Sequence, residues 1–359
     1  SPTALVQSLA RFGLPDRVLS VIQAIYTNRR FFVSDASSKS DFHQQHFGIC
    51  QGCPLSPFLF GMLMTVLIRD AKKQLQDSGV QLSLQPLVSE LLYADDTLLM
   101  DVDAAVVEQY MRCVARAGNN YGLTFNWKKL ELLPLSCDCF IGTPDGKWIK
   151  QCEQMTYLGS LLCSDGTAGS ELNRRIGAAR EVFDKLCRVW GHSNITVARK
   201  LQIYSACVAS RLLYNLHSLW LNTAETRKLD AFHLKCLRRL LRVAPSFYSR
   251  ISNQTILERT NSRNLSGILL ERQLRFLGEL ASRDDDDILR QSVLQPGTFE
   301  PRVPQGPRKQ GRPRTTWASA IFKHAIQAAE SAENLSNYWQ GNPQSKAAWR
   351  TCVRKYCST

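Results

Sequence analysis

No uninterrupted apolar run of about 18 residues occurs in this 359-residue chain, so no segment reads as a membrane-spanning helix. Nor does its amino end carry the order of charge, apolar stretch and small residues that marks a secretion signal. These absences predict a soluble, intracellular protein, in the nucleus, the cytoplasm or both, with no membrane partner. Acid is scarce relative to base: 31 Asp plus Glu stand against 45 Lys plus Arg, a net charge of +14. That imbalance favours a polyanionic partner, nucleic acid first. Repeated cysteine spacing is missing too. The 12 cysteines lie scattered, and neither a second CxxC nor matching histidines complete a ligand set around Cys50 and Cys53 or around Cys137, Cys139, Cys152 and Cys163. They read as reduced thiols, and no structural zinc is expected. What remains, 44% hydrophobic and 21% charged residues, is ordinary globular composition, enough for two packed domains and unlike a disordered tail.

Helical spacing runs from Ala4 to Arg30 with a break at Gly13-Leu14-Pro15, which predicts two short helices. Phe31-Phe32-Val33 and Phe42 to Ile49 flank a polar loop as in a hairpin. Gln51-Gly52-Cys53-Pro54-Leu55 is a bend, after which Ser56 as N-cap and Pro57 in the first turn open an apolar helix through Leu75. Helical spacing resumes over Ala104 to Gly118, and Gly122 to Leu133 reads extended. Helices alternating with hairpins predict an α+β domain over residues 1–165. Beyond Ser164-Asp165-Gly166 the pattern is helical only: a stripe from Leu172 to Trp190, a helix over Val197 to Leu221, and a third over Thr226 to Val243. On the third, Lys235, Arg238, Arg239 and Arg242 share a basic side, which reads as a nucleic-acid backbone contact or as a solvated face. Residues 166–294 form this helical part. Gln295 to Arg314, rich in proline, glycine and arginine, predicts a linker within a basic carboxy-terminal tail, 295–359. A last helix is expected over Trp317 to Ala329, and Ser331 onward is weakly patterned. Asp284 to Asp287 reads as a solvated turn.

One feature stands apart. Tyr93-Ala94-Asp95-Asp96 sets two adjacent carboxylates between the apolar runs Leu91-Leu92 and Thr97-Leu98-Leu99-Met100. A hydrophobic hairpin presenting paired Asp from a tight turn favours a bound cation, and Mg²⁺ takes one or two carboxylates plus substrate phosphates. The four letters alone read equally as a solvated Asp-Asp turn.

Taken in order, the motifs resemble those of the reverse transcriptase family, most closely the non-LTR (LINE-type) retrotransposon polymerases. Gln51-Gly52-Cys53-Pro54-Leu55-Ser56-Pro57 is similar to polymerase motif B and Tyr93-Ala94-Asp95-Asp96 to motif C. Asn126-Trp127-Lys128-Lys129 is similar to motif D and Tyr157-Leu158-Gly159 to motif E. The resemblance spans roughly residues 1–245, with a further likeness over Gly311-Arg312-Pro313 to Trp317. It implies a partial polymerase palm, an antiparallel sheet with helices on one face, followed by an all-helical thumb. It implies RNA-directed DNA polymerase chemistry, nucleotidyl transfer onto a primer 3′-hydroxyl with two Mg²⁺ ions, an RNA template, a DNA primer or target, and dNTPs. On that basis Asp95 and Asp96 are the catalytic metal ligands. Gln51, Gly52 and Lys129 serve the template and incoming nucleotide, while Tyr157, Leu158 and Gly159 grip the primer. Lys235, Arg238, Arg239 and Arg242 track the duplex phosphates.

The pattern departs from the family at one place. Motif A, which supplies another metal-binding aspartate, has no counterpart. The acids ahead of Gln51 are Asp16, Asp35 and Asp41, all expected in turns or loops. Ser1 opens straight into a helical pattern, as a piece of something longer would. A catalytically inactive retroelement remnant that binds nucleic acid, or a group II intron maturase-like protein, therefore stand as alternatives. Gly311-Arg312-Pro313-Arg314, with Arg308 and Lys309, is also similar to an AT-hook core, against a plain basic linker.

Overall fold

Leu59, Leu63, Val66, Leu67 and Ala71 recur at helical spacing, and their burial organises the first part of the chain. The computed structural model describes residues 2–358 apart from 36, 46–47, 50–51, 84–87, 136 and 304–314. It divides into two units, Ser1–Cys152 and Glu153–Thr359.

The first unit runs α1 (Pro2–Phe12), α2 (Asp16–Tyr26), β1 (Arg30–Phe31), β2 (Ser34–Asp35), β3 (Ser38–Lys39), β4 (His43–Gln44), α3 (Ser56–Asp77), β5 (Glu90–Tyr93), β6 (Asp96–Leu99), α4 (Ala104–Asn120), a 3₁₀ turn at Trp127–Lys129, β7 (Glu131–Leu132) and β8 (Lys150–Gln151). Helix α3 is its spine, packed on α1 and α4 through Leu9, Leu59, Leu67, Tyr110 and Ala117. Arg11 clamps α1 to α3 with two hydrogen bonds to the Asp70 carboxylate, at 2.5 and 2.6 Å, and Tyr121 Oη donates to the same carboxylate at 2.6 Å. Burial and this carboxylate push the Tyr121 phenol up to about 12, while Arg11 holds Asp70 below its ordinary range. The expected N-cap at Ser56 shifts by one residue. Leu55 occupies that position, and Ser56, inside the helix and buried, turns its hydroxyl to Tyr26 Oη at 3.3 Å.

The expected antiparallel sheet is replaced, among the described residues, by separate two-stranded ladders. β1 pairs with β4 and β2 with β3 as a nested hairpin; β5 pairs with β6; β7 pairs with β8, in parallel. Strands of two to four residues find their local hairpin partner and offer too little edge for a third. Asp35 does lie on a strand, but its partner strand is β3, and Asp16 opens α2 rather than sitting in a turn.

The second unit opens with the hairpin β9 (Gln154–Tyr157) and β10 (Ser160–Cys163), then continues as α5 (Gly169–Lys185), α6 (Cys187–Gly191), α7 (Val197–Tyr204), α8 (Ser210–Leu212), α9 (Thr223–Leu240), α10 (Ser246–Ser249), α11 (Asn253–Thr260), α12 (Leu265–Ala281), α13 (Ile288–Val293), α14 (Trp317–Ala329), α15 (Ala332–Tyr338) and α16 (Pro343–Tyr356). The division after Cys152, rather than after residue 165, carries the β9–β10 hairpin with the helices, because Glu171 of α5 holds it there. The helix expected over Val197 to Leu221 is shorter. A π turn at Ser205–Ala209 and a left-handed Asn215 (φ +58°) end it early. Helix α9 starts ahead of Thr226 because Asn222 and Glu225 form a capping box, with reciprocal bonds of 3.0 and 2.8 Å.

The carboxy-terminal residues are structured rather than weakly patterned. Trp339, Trp349 and Val353 are buried against Leu274, Leu277 and Ile321, so α14 to α16 share a core with α12. Trp349 Nε1 donates to Leu274 O at 3.1 Å. The acidic run is the exposed turn expected, and two of its members also bond within the protein. Asp287 caps α13 through the amides of Leu289 and Arg290, and Asp285 accepts from the buried Arg290 guanidinium at 2.8 Å.

Candidate functional site

Strands β5 and β6 pair Glu90 with Leu99, Leu91 with Leu98, Leu92 with Thr97 and Tyr93 with Asp96. Ala94 and Asp95 alone make the turn. Ala94 is left-handed (φ +52°) and Asp95 is not, the pattern of a turn whose first central position ordinarily takes glycine. Burial is graded along the hairpin. Leu99 packs on the core, whereas Leu91 through Asp96 are exposed. Its base is fixed by a 2.6 Å ion pair from Lys72 of α3 to Glu90 and by Met100 N donating to Ser89 O at 2.8 Å. The nearby Asp101 is used locally, accepting from the amides of Ser83 and Asp103.

Asp95 and Asp96 thus stand together at an exposed tip. Among the described residues neither carboxylate has an ion pair or a hydrogen bond, and no group of three or more His, Cys, Asp or Glu side chains gathers anywhere. Two adjacent carboxylates without a counter-ion fit a divalent cation as part of its ligand set, with substrate phosphates and water supplying the rest.

The other motif residues of this unit stand on separate elements. Gln51 lies outside the described residues. Gly52 has φ +84° with open space where a Cβ would be, so backbone conformation is what calls for glycine there. Lys129 closes the 3₁₀ turn, its amide bonded to Asn126 O at 2.9 Å and its ammonium exposed. Trp127 anchors that turn edge-on against Phe125, with ring centroids 5.5 Å apart.

Tyr157, Leu158 and Gly159 form the β9–β10 turn, Tyr157 opposite Ser160. Leu158 (φ +47°) and Gly159 (φ +74°) are both left-handed, as a tight two-residue turn between twisted strands requires. This turn is held from beneath. Gly159 O accepts from Arg174 Nη2 at 2.6 Å and from Arg175 Nη2, and Leu158 O accepts from Tyr214 Oη at 3.1 Å. The Arg175 guanidinium stacks on Tyr214 at 4.5 Å. Glu171, 1% exposed, organises the cluster by accepting from Leu161 N, Arg174 and Arg175. Sequence reasoning missed this residue, although Glu171, Arg174 and Arg175 show the i, i+3, i+4 spacing of a helical ion-pair set.

The basic side of α9 needs a correction. Lys235, Arg239 and Arg242 are exposed, but Arg238 is buried and spent within the protein. It donates to Ala244 O at 3.3 Å, Ile251 O at 2.9 Å and Asn253 Oδ1 at 2.9 Å. A helix turns 100° per residue, so Arg238 falls toward Leu237 and the core while Arg239 faces outward. Arg239 pairs with Asp184 at 2.8 Å and lies over the Phe183 ring, and Arg242 donates to Gly191 O at 2.6 Å. The Gly311-Arg312-Pro313-Arg314 segment, with Arg308 and Lys309, lies outside the described residues, and no described helix is long and apolar enough to cross a membrane.

Two comparisons with known proteins bear on this geometry. The family model for reverse transcriptase (RNA-dependent DNA polymerase) matches residues 2–162, a stretch that contains both turn motifs. The chain is also 21% identical over 253 residues to the retrovirus-related Pol polyprotein from type-1 retrotransposable element R2 of Nasonia vitripennis. That match covers 67% of this chain and 23% of the relative, so the chain spans under a quarter of its relative's length. Family match, motif order and retroelement relative agree: residues 2–162 match a reverse transcriptase domain, and the likeness is to that of a LINE-type element.

Proposed function

We propose that the chain is part of an RNA-directed DNA polymerase that copies a retroelement transcript by extending a primer 3′-hydroxyl. The observation that carries this reading is the exposed Asp95–Asp96 pair on a two-residue turn, without a counter-charge among the described residues, inside the family match. Bound there, a pair of divalent ions, Mg²⁺ in this reading, would activate the primer hydroxyl and steady the departing pyrophosphate. The chain's own groups set the geometry. Lys72–Glu90 and the packed Leu99 hold the base of the hairpin, so the carboxylates project from a fixed support. Lys129 offers an exposed ammonium for triphosphate oxygens, and Gln51 and Gly52 would serve the template and incoming dNTP. The clamped Tyr157-Leu158-Gly159 turn presents the primer grip, and the helical unit acts as thumb, with Lys235, Arg239 and Arg242 outward.

None of Asp16, Asp35 and Asp41 stands on a strand paired with the hairpin, so none of the three completes the ligand set beside Asp95 and Asp96. The test is primer extension on an RNA template with Mg²⁺, comparing this chain, a version extended upstream of Ser1, and that version with Asp95→Ala. Synthesis by the extended protein that Asp95→Ala abolishes is the expected result. Failure of the extended protein to synthesise, with nucleic-acid binding retained, would favour the remnant that only binds. Robust synthesis by the chain alone would overturn the argument about the missing aspartate.

A further inference from the structure

Phe247 and Tyr248 are the most exposed pair of neighbouring aromatics in the helical unit, 72% and 76% accessible on the single turn α10. Aromatic rings this open each forfeit about 100 Å² or more of burial, and a chain that buries Trp190, Trp339 and Trp349 almost completely has no general difficulty in covering them. Their support is rigid. The buried Arg238 guanidinium bonds Ala244 O on one side of the turn and Ile251 O and Asn253 Oδ1 on the other, which pins both ends of residues 244–253 from below. Pro245 caps the turn by accepting from the amides of Tyr248 and Ser249, and a left-handed Arg250 (φ +57°) ends it.

The surroundings are cationic. Residues 231–257 contain no Asp or Glu, and Lys235, Arg239, Arg242 and Arg250 among them are exposed. Arg250 lies over the Phe247 ring, 5.6 Å from its centroid. Phe247 and Tyr248 meet edge to face, centroids 5.3 Å apart and planes at 85°. Two perpendicular faces suit bases that have been splayed apart, and are useless to a duplex whose bases are already stacked on one another. Charge complementarity selects a polyanion, and the exposed rings select one with unpaired bases.

We propose that Phe247 and Tyr248 form a stacking platform for unpaired bases of single-stranded RNA, with Arg242 and Arg250 taking the flanking phosphates. This rests on the polymerase reading above, in which the single strand that the protein meets is its RNA template; the platform is a site outside the family match at residues 2–162. Stacking on aromatic side chains is worth about 1–3 kcal/mol per base, so losing both rings should weaken single-strand binding by at least about tenfold.

The test is fluorescence anisotropy of the full chain with a labelled, unstructured RNA of about 20 nucleotides, longer than the binding site of a single stacking module. A DNA strand of the same sequence and a blunt duplex are the comparison ligands. The Phe247→Ala/Tyr248→Ala double variant should lose at least about tenfold in affinity for the RNA, keep its duplex affinity within about twofold, and keep the same salt dependence. A Phe247→Leu/Tyr248→Leu variant, which retains apolar area without the flat rings, should show the same loss. Unchanged RNA binding by the alanine variant, equal losses on RNA and duplex, full retention by the leucine variant, or a loss confined to the DNA strand would each overturn the platform. Wild-type protein that binds none of the three ligands would overturn the polymerase reading together with it, which separates the two failures.

Discussion

Tyr93 and Asp96 face one another across the β5–β6 ladder, which leaves Ala94 and Asp95 as the whole of the turn. The two carboxylates are consequently not equivalent: Asp95 belongs to the turn and Asp96 to a strand. Side chains alternate along a strand, so Asp96 shares its side of the hairpin with Leu98, and Thr97 faces the other way. The aspartate pair is therefore as well defined as the turn that carries it.

That turn depends on Ala94. A left-handed non-glycine residue costs about 1 kcal/mol, and glycine adopts the same conformation freely. Ala94→Gly should slow amide hydrogen exchange over residues 90–99, whereas Ala94→Val, β-branched at a positive φ, should speed it. Equal exchange in the alanine and valine proteins would show that the turn carries no such strain.

The β9–β10 turn depends on Glu171. Its carboxylate is buried and accepts from both Arg174 and the nearly buried Arg175, so Glu171→Gln leaves Arg175 with an uncompensated charge. Breaking a buried pair by removing one partner costs about 3–5 kcal/mol. Arg174→Ala should cost far less, because that side chain is 37% exposed and screened by solvent. Urea unfolding of the two variants should differ in midpoint accordingly, and matching midpoints would contradict the arrangement.

Much of the site was legible because its motifs are local. Each turn needs only a few consecutive residues: Tyr93 to Asp96 stood out as paired acids between apolar runs, and Tyr157 to Gly159 was carried by the resemblance. Helices α3, α4 and α9 followed from apolar spacing. What spacing could not convey was where a helix turns relative to its neighbours: Arg238 and Arg239 are adjacent letters, yet one ties a loop and the other faces outward. Sheet closure was equally hidden, since pairing between distant strands leaves no local trace and the described strands pair only within small ladders. The helix over Trp317–Ala329 was expected, but α15 and α16 escaped notice because Trp339 and Trp349 bury large areas from sparse positions, without a dense stripe.

Those tryptophans make Gly278 a sensitive position. A Cβ there would stand 2.1 Å from Trp349 Nε1 and 2.4 Å from its Cδ1, with Trp339 Nε1 at 3.2 Å. Gly278→Ala must displace the indole and break its bond to Leu274 O, in a core that has no slack. The cost is about 1–3 kcal/mol for overpacking and about 1 kcal/mol more for the lost hydrogen bond. A red shift in tryptophan emission and faster proteolysis across residues 315–358 are expected. Native emission and native resistance would mean that the helix can shift to make room.

Acid should destabilise the helical unit through His233. This imidazole is 3% exposed, its Nδ1 lies 2.8 Å from Tyr204 Oη, and its Nε2 has no partner among the described residues. Burial lowers its pKa from 6.5 to about 4, against the smaller opposing pull of Asp230, whose carboxylate is engaged by Ser266. Folded protein thus keeps His233 neutral down to about pH 4, while the unfolded chain takes up a proton near pH 6.5. Between those values the unfolded state binds more protons, so stability is full above the upper one and falls as pH drops toward the lower, by about 3 kcal/mol from this residue. His233→Asn places an amide where Nδ1 stood and removes the titration. The variant should be less stable at neutral pH for its lost packing, and its stability should change less than that of the wild type across that window. Parallel pH profiles of the urea midpoint for the two proteins would show that His233 is not the group that acid attacks.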